Sequence, residues 1–155
     1  MKIAKTEKGG VLSIRLSGSI DEDFTLSEKD FGSSKNIALD VGGIDLINSC
    51  GCREWIKLMK TVKPGVSLSF ANCPKIFIDQ VNLLKDFIPP SGAIESFNVP
   101  YFCESCSKIT LQKYSVSQLA NGPKDVSENM TCSHCGKQSE LDVIPNTFFR
   151  FLPKK

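Results

Sequence analysis

Four cysteines near the carboxyl end of the chain have the spacing of metal ligands. They form two pairs, Cys103–Cys106 and Cys132–Cys135, with two residues inside each pair and 25 residues between the pairs. This spacing lets both thiolates of a pair reach one ion, and the two pairs together complete a tetrahedral Zn(II) site. Because four thiolates leave no coordination position for water, we expect the zinc to be structural rather than catalytic.

The surroundings of these cysteines are similar to those of a zinc ribbon. Gly136 follows the second pair, where ribbons have a glycine, and alternating apolar residues between the pairs can form the ribbon's strands. His134, the only histidine, could replace a cysteine as ligand, although four sulfurs suffice. Two disulfides or a redox-active Cys-x-x-Cys pair are the alternatives. The absence of a secretion signal argues against disulfides. A redox pair is disfavoured because neither cysteine pair opens a helix after a βαβ strand.

A second stretch with chemical potential runs from Asn36 to Val62. Apolar residues alternate with polar ones from Asn36 to Val41, which predicts a strand that Gly42 and Gly43 should end. Either Asn48 or Ser49 can cap the following helix, because each has a side-chain oxygen that accepts free N–H groups. The first turn of such a helix favours an anion or a phosphoryl group.

This stretch resembles the strand-to-helix signature of STAS domains, the fold of bacterial anti-sigma-factor antagonists. The resemblance covers about the first hundred residues and rests on Leu39-Asp40 and on Ile47-Asn48-Ser49-Cys50-Gly51. In the family a serine in this loop is phosphorylated by a partner kinase, and Ser49 occupies that position. Asn48 stands where the family often has aspartate and Cys50 where it often has serine. The resemblance implies a partner-binding site at Asn48, Ser49, Cys50 and Gly51.

Two other functions of these corner residues remain open at this point. Ser49 could act only as the helix N-cap, in which case it carries no switch. Cys50 could be an oxidation sensor, because a helix N-terminus can lower the pKa of a thiol. Cys52 falls on the apolar stripe of the helix, and we expect it in the core.

The order of the elements predicts a mixed α/β fold. An opening hairpin at Gly9–Gly10 is followed by strand–helix–strand–helix–strand. The first helix, between Asp21 and Ser34, should be short or irregular. A later helix should run from about Lys75 to Ile88, and a last strand from Ala93 to Val99. Right-handed crossovers then place the main helices on one face of a mixed sheet. We expect two domains, residues 1–99 as the STAS-like unit and residues 100–155 as the zinc ribbon. The phenylalanines of the tail, Phe148, Phe149 and Phe151, should dock onto the rest of the chain or else bind a partner.

Composition and charge limit the classes of function that the chain can have. The 155 residues carry a net charge of +2 with both signs interspersed, which makes nucleic acid an improbable ligand. The start of the chain lacks a signal peptide and no stretch is long enough to span a membrane, so we expect a cytoplasmic protein. With one histidine and no phosphate-binding glycine loop, no enzyme class is indicated.

The expectation is therefore a non-enzymatic regulatory module that binds a kinase-like anti-sigma factor or another signalling protein. The alternative is a nucleic-acid-binding zinc ribbon that uses the STAS-like unit as a platform. The sequence leaves the oligomeric state open.

Overall fold

A computed structural model describes residues 1–153, which form two β-sheets and four α-helices. The strands are β1 (Lys2–Lys8), β2 (Val11–Ile20), β3 (Asn36–Ile47), β4 (Ser67–Ala71), β5 (Gly92–Ile94), β6 (Ser96–Cys103), β7 (Lys108–Ser115), β8 (Asn129–Thr131) and β9 (Gln138–Leu141). The helices are α1 (Glu28–Phe31), α2 (Ser49–Lys60), α3 (Lys75–Leu83) and α4 (Pro145–Phe148). The mixed α/β fold class predicted from the sequence is confirmed.

The first sheet has the strand order β1-β2-β3-β4-β5, with β1 antiparallel to β2 and the other neighbours parallel. Gly9 and Gly10 join β1 to β2 with φ angles of 60° and 78°, as a tight hairpin turn requires. The parallel crossovers place α2 and α3 on the same face, where Trp55 of α2 meets Phe77 of α3 edge to face. The predicted arrangement of the helices is therefore confirmed.

An aromatic cluster fills the space between this face of the sheet and the helices. Trp55 lies within 5.6 Å of the ring centres of Phe77 and Phe87 and 6.2 Å from that of Phe70. The indole N–H of Trp55 donates a hydrogen bond of 2.7 Å to the carbonyl oxygen of Phe87. All four side chains are fully buried, so the cluster anchors α2 to the sheet with no unpaired indole donor.

The helix lengths agree only in part with the prediction. The first helix is reduced to the four residues of α1, as the short polar crossover predicted. By contrast, α3 ends at Leu83 rather than near Ile88, because Leu84 takes an extended conformation. Leu84 and Ile88 still pack against the core, but from a loop.

The strand predicted to end at Gly42–Gly43 continues through both glycines to Ile47. The expectation of a break here is wrong. A side chain at position 43 would meet Ser17 and the carbonyl oxygen of Leu16, so β2 and β3 approach too closely for any residue but glycine. The pairing of β2 with β3 shifts register at this point, which absorbs the irregularity without ending the strand.

The strand predicted from Ala93 to Val99 is two strands in two different sheets. Glu95 separates them: its N–H bonds the carbonyl oxygen of Phe70, and its own carbonyl accepts from Val116. β5 completes the first sheet, whereas β6 begins an antiparallel second sheet of order β7-β6-β9-β8. Because β6 runs through residues 99 and 100, the backbone is continuous strand where the domain boundary was predicted. The division into two domains stays a prediction.

The aromatic tail docks on the remainder of the chain. Phe148 and Phe149 are buried, and their ring centres lie 6.2 and 6.3 Å from that of Phe97 on β6. The side-chain amide of Asn82 on α3 donates to the carbonyl oxygen of Phe148 at 2.8 Å. The prediction that the tail docks onto the rest of the chain is confirmed.

Within residues 1–153, no helix combines the length and the apolar character that crossing a membrane would require.

Candidate functional site

Two turns of the second sheet bring the four predicted ligands together. Cys103 ends β6, Cys106 lies in the turn to β7, and Cys132 and Cys135 flank the turn between β8 and β9. Their four sulfur atoms all lie within 4.8 Å of one another. Cys103 and Cys132 are buried, whereas Cys135 is exposed, so the cluster lies at the edge of the sheet with one side towards solvent.

The spacing of the sulfurs fits a tetrahedral metal ion. Cys103 Sγ lies 3.5 Å from Cys135 Sγ, and Cys106 Sγ lies 3.6 Å from Cys132 Sγ. A disulfide would require about 2.05 Å, and all seven cysteines are free. Zinc at about 2.3 Å from each of four sulfurs would separate neighbouring sulfurs by roughly 3.8 Å. The four cysteines can therefore hold a metal ion with little rearrangement.

The two turns that carry the ligands have the same backbone geometry. The N–H of Ser107 bonds the carbonyl oxygen of Cys103 at 2.8 Å, and the N–H of Gly136 bonds that of Cys132 at 3.0 Å. Each of these residues directly follows the second cysteine of its pair and has a positive φ, 58° for Ser107 and 78° for Gly136. The chain thus presents two equivalent knuckles, of which only the second carries the glycine that this conformation favours.

Backbone N–H groups lower the pKa of two of the four cysteine thiols. Burial raises the pKa of Cys132, but hydrogen bonds from the N–H groups of His134 and Cys135 outweigh it and lower the pKa to about 5. A backbone hydrogen bond from Cys106 likewise lowers the pKa of Cys103. Burial and the hydrogen bond with Cys132 raise the pKa of Cys106 to about 12. Each knuckle therefore contributes one sulfur that ionises readily, and a bound metal would displace the remaining protons.

His134 lies outside the sulfur cluster. Its ring Nε2 lies 3.2 Å from the carbonyl oxygen of Ile109, and its side chain is exposed. Its contribution to the knuckle is the backbone N–H, 3.3 Å from Cys132 Sγ. The residue thus serves the cluster through its main chain.

The second predicted site, the corner between β3 and α2, is ordered by Asn48. Its side-chain oxygen accepts a hydrogen bond from the N–H of Gly51 at 2.8 Å, which makes Asn48 the N-cap. Its own N–H bonds the carbonyl oxygen of Ile20 at the end of β2. Ser49 is therefore the first helical residue and not the cap, which decides between the two capping candidates.

The side chains of Ser49 and Cys50 point to solvent at the first turn of α2. The Ser49 hydroxyl forms no hydrogen bond with any other residue that the structure describes. Gly51 is buried instead, and a Cβ there would collide with the carbonyl group of Ile20. Of the four predicted partner-binding residues, Ser49 and Cys50 are thus accessible, Asn48 is half-buried and Gly51 serves packing.

Glu22 belongs to this corner, although sequence reasoning did not single it out. Its carboxylate accepts a hydrogen bond of 2.8 Å from the side-chain amide of Asn48, which together with a backbone N–H lowers the pKa of Glu22. Glu22 and Asn48 are 26 residues apart, and no local pattern connects them. Arg53 is exposed and lies one turn beyond Ser49 on α2.

The other two cysteines are structural. Cys52 faces Gln80 across the α2–α3 interface, with Sγ 3.6 Å from the side-chain oxygen, and burial raises the pKa of its thiol. Cys73 is fully buried, and burial raises its pKa strongly. The core position predicted for Cys52 is confirmed.

Comparisons of the chain with protein-family models, with curated proteins and with solved structures found no match.

Proposed function

We propose that the chain is a non-enzymatic regulatory module that binds a signalling protein through the corner at the start of α2. The observation that carries the proposal is the Ser49 hydroxyl, which is exposed and unbonded while Asn48 performs the capping. A serine that the fold does not use for its own helix is free to be modified or contacted. The resemblance of this corner to that of STAS domains names the partner class, a kinase-like anti-sigma factor.

Phosphorylation of Ser49 would change the charge of the partner-binding surface without destabilising the fold. A phosphoryl group adds about two negative charges at the first turn of α2, where free N–H groups and the helix dipole favour an anion. Arg53 lies at the i+4 position and can pair with the phosphate. The negative charge of Glu22 repels a phosphate at this position. Its carboxylate is held by a hydrogen bond to the side-chain amide of Asn48.

The four-cysteine cluster supports a structural Zn(II) site as the second part of the proposal. The ligand set is all sulfur, the two knuckles are equivalent, and the S···S distances suit a tetrahedral ion. In this proposal Cys103, Cys106, Cys132 and Cys135 hold the ion, and the ion cross-links the β6–β7 turn to the β8–β9 turn. The chemistry it supplies is cross-linking rather than catalysis.

The test uses three variants as baits in extracts of the source cells and identifies proteins that the variants capture to different extents. The affinity of each variant for such a protein is then measured directly. Ser49→Asp should weaken capture of the partner at least tenfold, because it imitates part of the phosphoryl charge. Ser49→Ala should bind within twofold of the wild type. Ser117→Asp places the same charge on an exposed serine after β7, and should have no effect. If all variants capture the same proteins equally, Ser49 is not a switch.

One observation favours a second function, nucleic-acid binding by the second sheet. Phe102, Ile109 and Leu111 lie on its outer face with exposed fractions of 36%, 41% and 63%. Lys108 and Lys113 on β7 add positive charge beside them. A steep fall in affinity for a single-stranded polynucleotide as salt increases would support this function. Absence of binding at low salt would exclude it.

A further inference from the structure

The short first crossover leaves an apolar crevice at the amino-terminal end of the parallel strands. α1 spans only four residues, and the crevice is lined by α1, the loop after it, the start of β3 and the turn after α2. The crevice has a volume of about 430 Å³, within the range of small-ligand sites. It lies at the opposite end of β3 from Ser49, so it is separate from the site of the proposed function.

The inner walls of the crevice are apolar and belong to different elements. Phe31 of α1 and Ile37 of β3 form the floor, and both are part of the buried core. Val62 and Val66, on either side of the turn after α2, are only partly buried and pack against that core. An apolar ligand would therefore contact rigid parts of the fold.

The rim of the crevice is polar and positively charged on balance. Lys35 and Lys63 contribute two ammonium groups and Glu28 one carboxylate, which leaves a net charge of +1 (two minus one). Neither lysine forms an ion pair with another residue in the part of the chain that the structure describes. An anionic group at the rim would thus meet a cation that has no competing carboxylate partner.

The negative end of α2 also faces this region but offers little to a cation. The carbonyl oxygen of Leu58 already accepts hydrogen bonds from both the N–H and the hydroxyl of Thr61. The carbonyl oxygen of Met59 accepts from the N–H of Val62. Because these two carbonyl oxygens are satisfied, they do not compete for the lysine ammonium groups of the rim.

We propose that the crevice between α1 and the end of α2 is a binding site for a small apolar molecule with a single carboxylate. The apolar body lies against Phe31, Ile37, Val62 and Val66, and the carboxylate pairs with Lys35 and Lys63. A polyanion such as a nucleotide does not fit the single net positive charge and the apolar floor. The site adds a ligand-sensing function to a module whose partner-binding corner lies at the other end of the sheet.

The test uses three probes of equal length on the zinc-loaded full chain: octanoate, octanamide and octylammonium. Binding is followed by ¹H–¹⁵N NMR titration. Octanoate should shift the amide signals of Ile37, Val62 and Val66, and should bind at least tenfold more tightly than octylammonium, with octanamide between them. If the three probes bind alike, or octanoate shifts none of these signals at millimolar concentration, the proposal is wrong.

Paired variants separate the role of the rim from that of total charge. Lys35→Glu with Lys63→Glu should weaken octanoate binding at least tenfold. Lys2→Glu with Lys85→Glu makes the same change in net charge at exposed sites outside the crevice, and should leave the affinity within twofold. Equal losses in the two double variants would overturn the proposal.

A crevice-filling variant provides an independent check. Ser34→Trp places a large side chain on the loop that lines the crevice, and should abolish octanoate binding. Its fold is verified by the dispersion of the NMR spectrum and by zinc content. Unchanged octanoate affinity in this folded variant would contradict the assigned location.

Discussion

Single residues at the corner between β3 and α2 have sharply different tasks. Asn48 caps the helix and holds Glu22, Gly51 lets the helix touch the end of β2, and Ser49 keeps its hydroxyl free. Neighbouring positions in the chain therefore differ in whether the fold uses their side chains. Substitutions at these positions should have correspondingly different effects on stability.

Gly51→Ala should destabilise the protein by about 3 kcal/mol, the upper end of the usual cost of overpacking. The added methyl group would collide with the backbone at Ile20 and Asp21, which cannot move aside as a side chain can. Urea unfolding measures the change. Cys50→Ala, one position earlier and exposed, is the matched control and should stay within about 0.5 kcal/mol of the wild type. Equal stability of the two variants would mean that α2 does not approach β2 this closely.

The cysteines outside the cluster should differ in their reaction with iodoacetamide. Cys50 is exposed, whereas burial raises the pKa of Cys52 and Cys73 and keeps reagent away. We expect Cys50 to react at least about tenfold faster than the other two in the folded protein. Mass spectrometry of the labelled peptides gives the rates, and the rates should converge in urea. A Cys50 rate no higher than that of glutathione would exclude the oxidation-sensor alternative.

At the scale of elements, the candidate metal site is built from strand ends. β8 and β9 span only three and four residues, and β9 pairs with β6 at two residue pairs. All four strands of the second sheet begin or end beside a knuckle. Small sheets bury too little apolar surface to be stable without a cross-link. The second sheet should therefore depend on the ion more than the first sheet does.

Removing the metal should loosen β8, β9 and the two knuckles while β2, β3 and β4 stay folded. Hydrogen exchange after chelation should be faster at the amides of residues 103–107 and 129–141, since metal binding contributes directly to the folding free energy. Metal analysis should find one zinc ion per wild-type chain, one in Cys50→Ser and none in Cys106→Ser. Unchanged exchange after chelation would show that the sheet is stable without an ion.

At the scale of the whole molecule, one hydrophobic core joins both sheets. Phe97 at the start of β6 packs on the tail and on Tyr114 of β7, while Cys73 after β4 forms a parallel bridge with Phe97. The tail therefore packs at the junction of the two sheets, which we call the seam.

Phe148→Ala should lower the free energy of unfolding by about 3–5 kcal/mol, the usual cost of truncating a buried phenylalanine. The ring is buried against Phe97, Phe149 and Phe151, so its removal leaves a cavity in the seam. Thermal and urea unfolding measure the effect. Leu83→Ala removes an apolar side chain that is 76% exposed and should cost no more than about 0.5 kcal/mol. Similar values for both variants would mean that the tail is not docked in solution.

Local patterns in the sequence determined the features that depend on neighbouring residues. The spacing of the cysteine pairs predicted that the four sulfurs lie together, alternation predicted most strands, and capping residues predicted the start of α2. These succeed because a two-residue knuckle, a strand face and a helix cap are all formed within a few residues.

Only the tertiary structure decided the features that depend on distant partners. The choice of Asn48 over Ser49 as cap accompanies a hydrogen bond to Ile20, and Glu22 reaches the corner from another loop. The split at Glu95 follows from bonds to Phe70 and Val116, in different sheets. Each outcome is set by backbone groups brought together from far apart in the chain, and single-residue preferences contain no information about which groups will meet.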